Sequence, residues 1–387
     1  MEIDLSAVPV VDNHCHGIFR DQSLPDVLAL RRRFTESFDA EIVRDHVPAT
    51  LAYLRYLKDA STLLGCPGAE DDVLAARNAR TTAELVGLGL GGGGIGWMLL
   101  DEGFPDRDVV LPDAEVARLA GVRTAPILRL EVVMQDLIAE LPTLDEVRTA
   151  LTERIAAARS QGYVSLKSIV AYRSGLEIRQ APQDEVASAF RQTRRVAEEN
   201  GKVRIAAKPL LDELLLTSFR AAVRAELPVQ FHTGYGDPDT DLRLGDPLHL
   251  RSILEIPELR AMQIVMLHES YPYTRKAGYL ATVYANAFLD LSYGIPYIGY
   301  GEMLDYTRSA LGVAPITKLL YSSDAVGLPE IHGASARVGR KIVGKAFGDL
   351  VQTGECTLAQ AERFGAAVLA ENAKRLYGLP DQPPKPA

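Results

Sequence analysis

Short apolar, β-rich runs recur along this chain, and the stretches between them carry helical spacing. That alternation constrains the fold more than any other feature, because parallel strands need long crossovers and helices supply them. The runs lie at 8–12, 95–100, 126–132, 163–170, 228–232, 263–268, 287–291 and 318–323. Helical stretches are read at 39–86, 144–160, 183–200, 210–226 and from strand eight to about Tyr377. Eight such units predict an α/β fold, the (β/α)8 TIM barrel, with its active site at the carboxyl ends of the strands. The connection after strand one is long for a βα crossover. Apolar positions such as Leu51, Leu54, Leu57, Leu63 and Leu64 make it a helical insertion over about 39–86. One domain is expected over 1–379, with a disordered tail at 380–387 that carries four prolines.

Composition excludes several classes. Hydrophobic residues make up 47% and charged residues 24% of 387, an ordinary globular balance that excludes a disordered or fibrous chain. The net charge of −9, with no Lys/Arg run longer than 31–33, argues against nucleic acid, whose binding needs phosphate neutralisation. Cys15, Cys66 and Cys356 are too few and scattered for a disulfide framework. No signal peptide is visible at Met1-Glu2-Ile3-Asp4, and the most apolar stretch, 85–100, is 16 residues with seven glycines. A spanning helix needs about 20 apolar residues. A cytoplasmic protein acting on a small molecule is expected, with no membrane partner. Self-association as a homo-oligomer is left open. The glycines at 91–94 lack the Gly-Lys-Ser/Thr ending of a phosphate loop and precede a strand, so they read as a connection.

Four of the seven histidines, His14, His16, His232 and His268, stand at or just past the carboxyl end of a run. Residues i and i+2 of a strand face the same side, so His14 and His16 can converge on one ion. Singly, His232 would be structural and Asp324 a helix N-cap, and His268 repeats the arrangement of an apolar strand ending in histidine. Together the set has imidazole and carboxylate donors and no thiolate, which suits a divalent metal. Asp12 is placed to support the histidine pair. Lys167 sits inside an apolar strand, where an unpaired ammonium is costly. It either pairs with an acid or is neutral, and a neutral amine can take up carbon dioxide as a carbamate.

These positions resemble those of the amidohydrolase superfamily. The segments beginning at Lys167 (KSIVAYRSGL) and at His268 (HESYPYTRKAGYL) are similar to the amidohydrolase-2 branch, in particular to the amidohydrolase-like region of FluG-type proteins. The resemblance runs from about Val8 to Tyr377 and is poorest over 39–86. It implies one or two divalent ions, usually zinc. His14 and His16 would bind the first ion, and Lys167, if carboxylated, would bridge. His232 and His268 would complete a second site; in one-metal relatives His268 polarises the substrate. Asp324 would bind metal and shuttle the proton. FluG-type proteins often carry a glutamine-synthetase-like region as well, and none is read within these 387 residues.

The expected reaction is hydrolysis of an amide or related C–N bond, with Asp324 and His268 as catalytic residues. The alternatives are non-oxidative decarboxylation on one metal and a non-catalytic barrel that binds a metabolite. Arg173 and Arg275 are candidates for holding a substrate carboxylate, and otherwise are surface arginines. Tyr172 and Tyr271 are candidate wall residues. Glu330 and His332 follow strand eight within reach of the site; His46 and His249 read as ordinary.

Overall fold

The computed structural model describes residues 1–295 and 297–381, so the tail expected at 380–387 lies outside them from 382 onward. The strands are β1 (Val10–Cys15), β2 (Ile95–Asp101), β3 (Arg123–Arg129), β4 (Ser165–Ser168), β5 (Val229–Phe231), β6 (Ile264–Met266), β7 (Ala287–Ser292) and β8 (Leu319–Ser322). They form one sheet in sequence order. Pairing is parallel at β1–β2 and from β3 through β7. The ends of that order are also neighbours. Asp324 N–H donates to the His14 carbonyl and His16 N–H to the Ala325 carbonyl, each at 3.0 Å. The fold is therefore the (β/α)8 barrel the alternation predicts.

Two strands depart most from expectation. β3 ends at Arg129, not 132, and a helix Leu130–Glu140 that the sequence reading lacked takes over. Leu130, Met134 and Ile138 recur every four residues and are buried. The run around 126–133 satisfies both periods, and packing of the i, i+4 stripe decides. β4 is also shorter than 163–170, because the Glu131 carboxylate accepts from Ile169 N–H (3.0 Å) and Ser168 Oγ (2.7 Å) and diverts the backbone.

The chain divides into two compact units. The first comprises Met1–Ala125 and Asp290–Ala387. Between β1 and β2 it is helical at Val27–Arg31, Leu51–Leu64, Glu70–Asn78 and Thr82–Gly91. Thr50 and a Thr81/Glu84 capping box start two of these, and left-handed Gly65 (φ 67°) ends one. Their apolar faces meet in a core of Phe34, Tyr53, Tyr56, Leu64, Val73, Leu85 and Leu328. The helix Thr82–Gly91 crosses the long helix Pro329–Thr353 at paired glycines. A Cβ on Gly333 would lie 1.8 Å from the Gly89 carbonyl oxygen. The glycine run continues this junction: Gly93 and Gly94 carbonyls accept from the Arg340 guanidinium.

The second unit comprises Pro126–Leu289. The helix Lys208–Ala225 buries Leu210, Leu211, Leu214, Leu215 and Phe219. Phe219 meets Phe231 of β5 edge-on at 5.5 Å, which seats the helix on the strand. No helix among the described residues is long and apolar enough to cross a membrane. All three cysteines are free thiols.

Candidate metal centre

In the first unit, β1 ends as the strand geometry requires. His14 lies within the strand, His16 just beyond it, and their rings meet edge-on at 5.1 Å. Both Nε2 atoms approach one Asp324 carboxylate oxygen, at 3.5 and 3.4 Å. Asp101, at the end of β2, offers a further carboxylate. One donor atom each from His14, His16 and Asp101 lies within 4.8 Å of the others. Two imidazoles and two carboxylates without a thiolate suit a borderline or hard divalent ion.

The supporting contacts orient these donors. His16 Nδ1–H donates to the Phe104 carbonyl at 2.8 Å, which leaves the Nε2 lone pair toward Asp324. Asp12 accepts from Ser323 N–H (2.8 Å) and Ser323 Oγ (2.5 Å), tying β1 to the residue before Asp324. Burial pushes the Asp12 carboxyl up to about 7, against the lowering effect of those two bonds. Asp324 itself holds φ 52°, a left-handed conformation that costs a non-glycine residue about 1–3 kcal/mol and recurs at functional positions.

The second unit carries the other ligand candidates read from the sequence. Lys167 is almost fully buried in β4, in register with Arg129 of β3 and Gln230 of β5. His232 follows β5 directly, with its ring 4.6 Å from that of His268 and 4.2 Å from that of Tyr172. Its Nε2–H donates to the Tyr235 carbonyl. His268, Glu269 and Ser270 are successively left-handed, at φ 62°, 50° and 52°. The Thr233 hydroxyl donates to the Leu267 carbonyl (2.7 Å) and bonds Ser270 Oγ (2.7 Å), so the His232 and His268 turns are fastened together. Gly234 sits between them at φ 75°, where a Cβ would come within 2.3 Å of the Tyr271 carbonyl.

The remaining candidates are placed as follows. The Tyr271 carbonyl accepts from Tyr235 N–H at 2.7 Å. Arg173 is half-buried after β4, and burial followed by the nearby Arg204 lowers its pKa. Arg275 is exposed on the first turn of the helix Thr274–Val283. Glu330 belongs to a different group, bonded to Arg77 and Tyr56. His332 is fully buried, with donor atoms grouped with those of Asp12 and Cys15. His249 Nε2 meets the Arg243 carbonyl at 3.0 Å.

Sequence reasoning missed Asp101, although it ends the run at 95–100 as Asp324 ends that at 318–323. It also missed the Phe104 carbonyl and Glu131. A backbone acceptor has no residue-type signal. Glu131 is hidden inside an apolar stretch, where burial pushes its carboxyl up.

Residues 117–379 match the model of the amidohydrolase family Amidohydro_2. The chain belongs to that family, a branch of the amidohydrolase superfamily of metal-dependent enzymes. It is similar to the protein fluG of Emericella nidulans, 29% identical over 409 aligned positions covering 98% of this chain and 47% of that protein. The chain thus spans about half the length of that curated relative. It is also similar to a crystallised candidate metal-dependent hydrolase from Lactobacillus casei, 30% identical over 98% of both chains with a TM-score of 0.85. Uronate isomerase from Thermotoga maritima, at 14% identity over 96% of this chain and 95% of its own, has a TM-score of 0.64 and shares the fold.

Proposed function

We propose that the chain is a hydrolase of an amide or related C–N bond in a small molecule, working on one or two divalent ions, zinc foremost. The approach of His14 and His16 Nε2 to one Asp324 oxygen carries this reading. A bound divalent ion supplies acidified water at neutral pH and polarises a carbonyl.

The chain's own residues do the rest. His14 and His16 would hold the ion through Nε2, with the Phe104 carbonyl keeping His16 in the required tautomer. Asp324 accepts a proton from the attacking water and returns it to the leaving nitrogen, a transfer that contributes about 10²–10⁴-fold. His268 would polarise the substrate carbonyl, and Lys167, if carboxylated, would offer an anionic oxygen ligand. Tyr172, Tyr271, Arg173 and Arg275 are the proposed substrate contacts.

The test combines elemental mass spectrometry of the purified chain, a crystal structure at the Lys167 amine and an assay of an amide panel. Two ions, a carboxylated lysine and amide turnover that falls about 100-fold or more in Asp324→Asn are expected. One ion with unmodified lysine and carbon dioxide release from a carboxylic acid would turn the reading to decarboxylation. A chain that retains no ion would end the enzyme reading.

A further inference from the structure

β2 ends at Asp101, and residues 102–112 lead to the helix Asp113–Ala120. This loop, with Gly17, lines a half-open pocket of about 390 Å³ whose apolar wall is Leu100, Phe104, Pro105, Val110 and Leu111. That is the size of a small-molecule pocket, and no residue proposed above for substrate contact lines it.

The cavity adjoins the metal-donor cluster. Phe104 holds His16 Nδ1–H through its carbonyl and lies edge-on to the His16 ring at 5.6 Å. Asp101 both lines the cavity and groups with His14 and His16. The far wall is fastened to the segment just after His16. Leu111 N–H donates to the Ile18 carbonyl (2.8 Å) and Arg20 N–H to the Val109 carbonyl (2.9 Å). A Cβ on Gly17 would lie 2.9 Å from Val110 Cβ, so glycine lets this wall close. A wall so tied can hold a ligand in fixed register with the histidines.

The charged lining is lopsided. Glu102 and Arg107 form an ion pair and offset each other. Asp101 faces the histidines, and Asp113 stands at the start of its helix. With Glu102 paired to Arg107 and Asp101 turned to the histidines, the lining acid an incoming ligand would meet is Asp113. An incoming cation would find apolar sides and that carboxylate.

We propose that this cavity is the substrate's specificity pocket and takes an apolar group ending in an ammonium. The proposal rests on the reading of His14, His16 and Asp324 as the reactive end of the site. It adds the substrate class: a small amide or related compound with an amine-bearing apolar arm.

Binding of n-pentylammonium, pentan-1-ol and pentanoate to the full chain at pH 7 tests it by calorimetry. Pentylammonium should bind about two- to fivefold more tightly than pentanoate, the size of one partly exposed ion pair. Asp113→Asn should remove most of that preference, and Val110→Trp should abolish saturable binding of both. Equal or tighter binding of pentanoate, or a preference unchanged by Asp113→Asn, would overturn the pocket. Metal is counted in the same samples. Cation binding by a chain that retains no metal would reject the hydrolase reading and keep the pocket as a binding site. Metal retained with no cation preference would reject the pocket alone.

Discussion

Replacing Arg77 with methionine should cost this chain several kilocalories per mole, although Arg77 stands outside the candidate metal centre. Its side chain is fully buried on the helix Glu70–Asn78. Its guanidinium donates to the Glu330 carboxylate, the Gln22 carbonyl and the Gln22 side-chain oxygen. Gln22 in turn donates to the carbonyls of Phe19 (2.7 Å) and Gly327 (2.8 Å), and Tyr56 donates to Glu330 at 3.0 Å. One cation thus joins the segment after His16, the helical stretch after β1 and the long helix Pro329–Thr353. Removing it strands the Glu330 carboxylate in the interior, with only the tyrosine left as a partner. Breaking a buried pair from one side typically costs about 3–5 kcal/mol. An unfolding entropy of about 2.1 cal/mol/K per residue over 387 residues converts about 4 kcal/mol into a fall of about 5 °C in Tm. Circular dichroism melts of Arg77→Met, Glu330→Gln and the double variant provide the assay. The double variant should melt above the sum of the two single losses, because it no longer buries a bare carboxylate. A fall of less than 1 °C in Arg77→Met, or strict additivity, would refute the reasoning.

Gly234→Ala combines a left-handed residue with a contact the backbone of Tyr271 must yield to, so a Tm at least about 3 °C lower is expected in melts. Burial, then the neighbouring His16, holds the His332 imidazole down to about 3, so it stays neutral while the unfolded chain takes up a proton below about 6.5. Stability should therefore fall as pH drops from 6.5 toward 3, by about 2 kcal/mol at pH 5, and His332→Leu should flatten that slope in pH-dependent melts. The Arg31 guanidinium, with help from Tyr53, holds the Glu70 carboxyl below its usual range. That stability is present above the ordinary carboxylate pKa and lost as pH falls through the lowered one. Glu70→Gln should lose less than about 1 kcal/mol at pH 7 and match the parent at pH 3 in the same melts.

Much of this was legible in the residues. β1, β5, β6 and β8 each combine an apolar run with a polar ending, and that pattern alone puts His14, His16, His232, His268 and Asp324 at strand ends. Arg129 to Val133 could not be divided into strand and helix, because its apolar spacing serves both. Asp101 closes its apolar run just as Asp324 does, a carboxylate at a strand end. Glu330 was set beside the site, whereas its partner is Arg77, 253 positions away, and no local pattern announces such a pair.

Local chemistry determined the strand and helix alternation, the barrel class and the residue types offered at the strand ends. These depend on side-chain periodicity and capping, which act over a few residues. Tertiary structure alone decided which acceptor takes His16 Nδ1–H, which backbone turns left-handed at His268 and Asp324, and which acid meets Arg77. Each is a matter of a few ångströms between segments distant in the chain, and such separations are settled only when the elements pack.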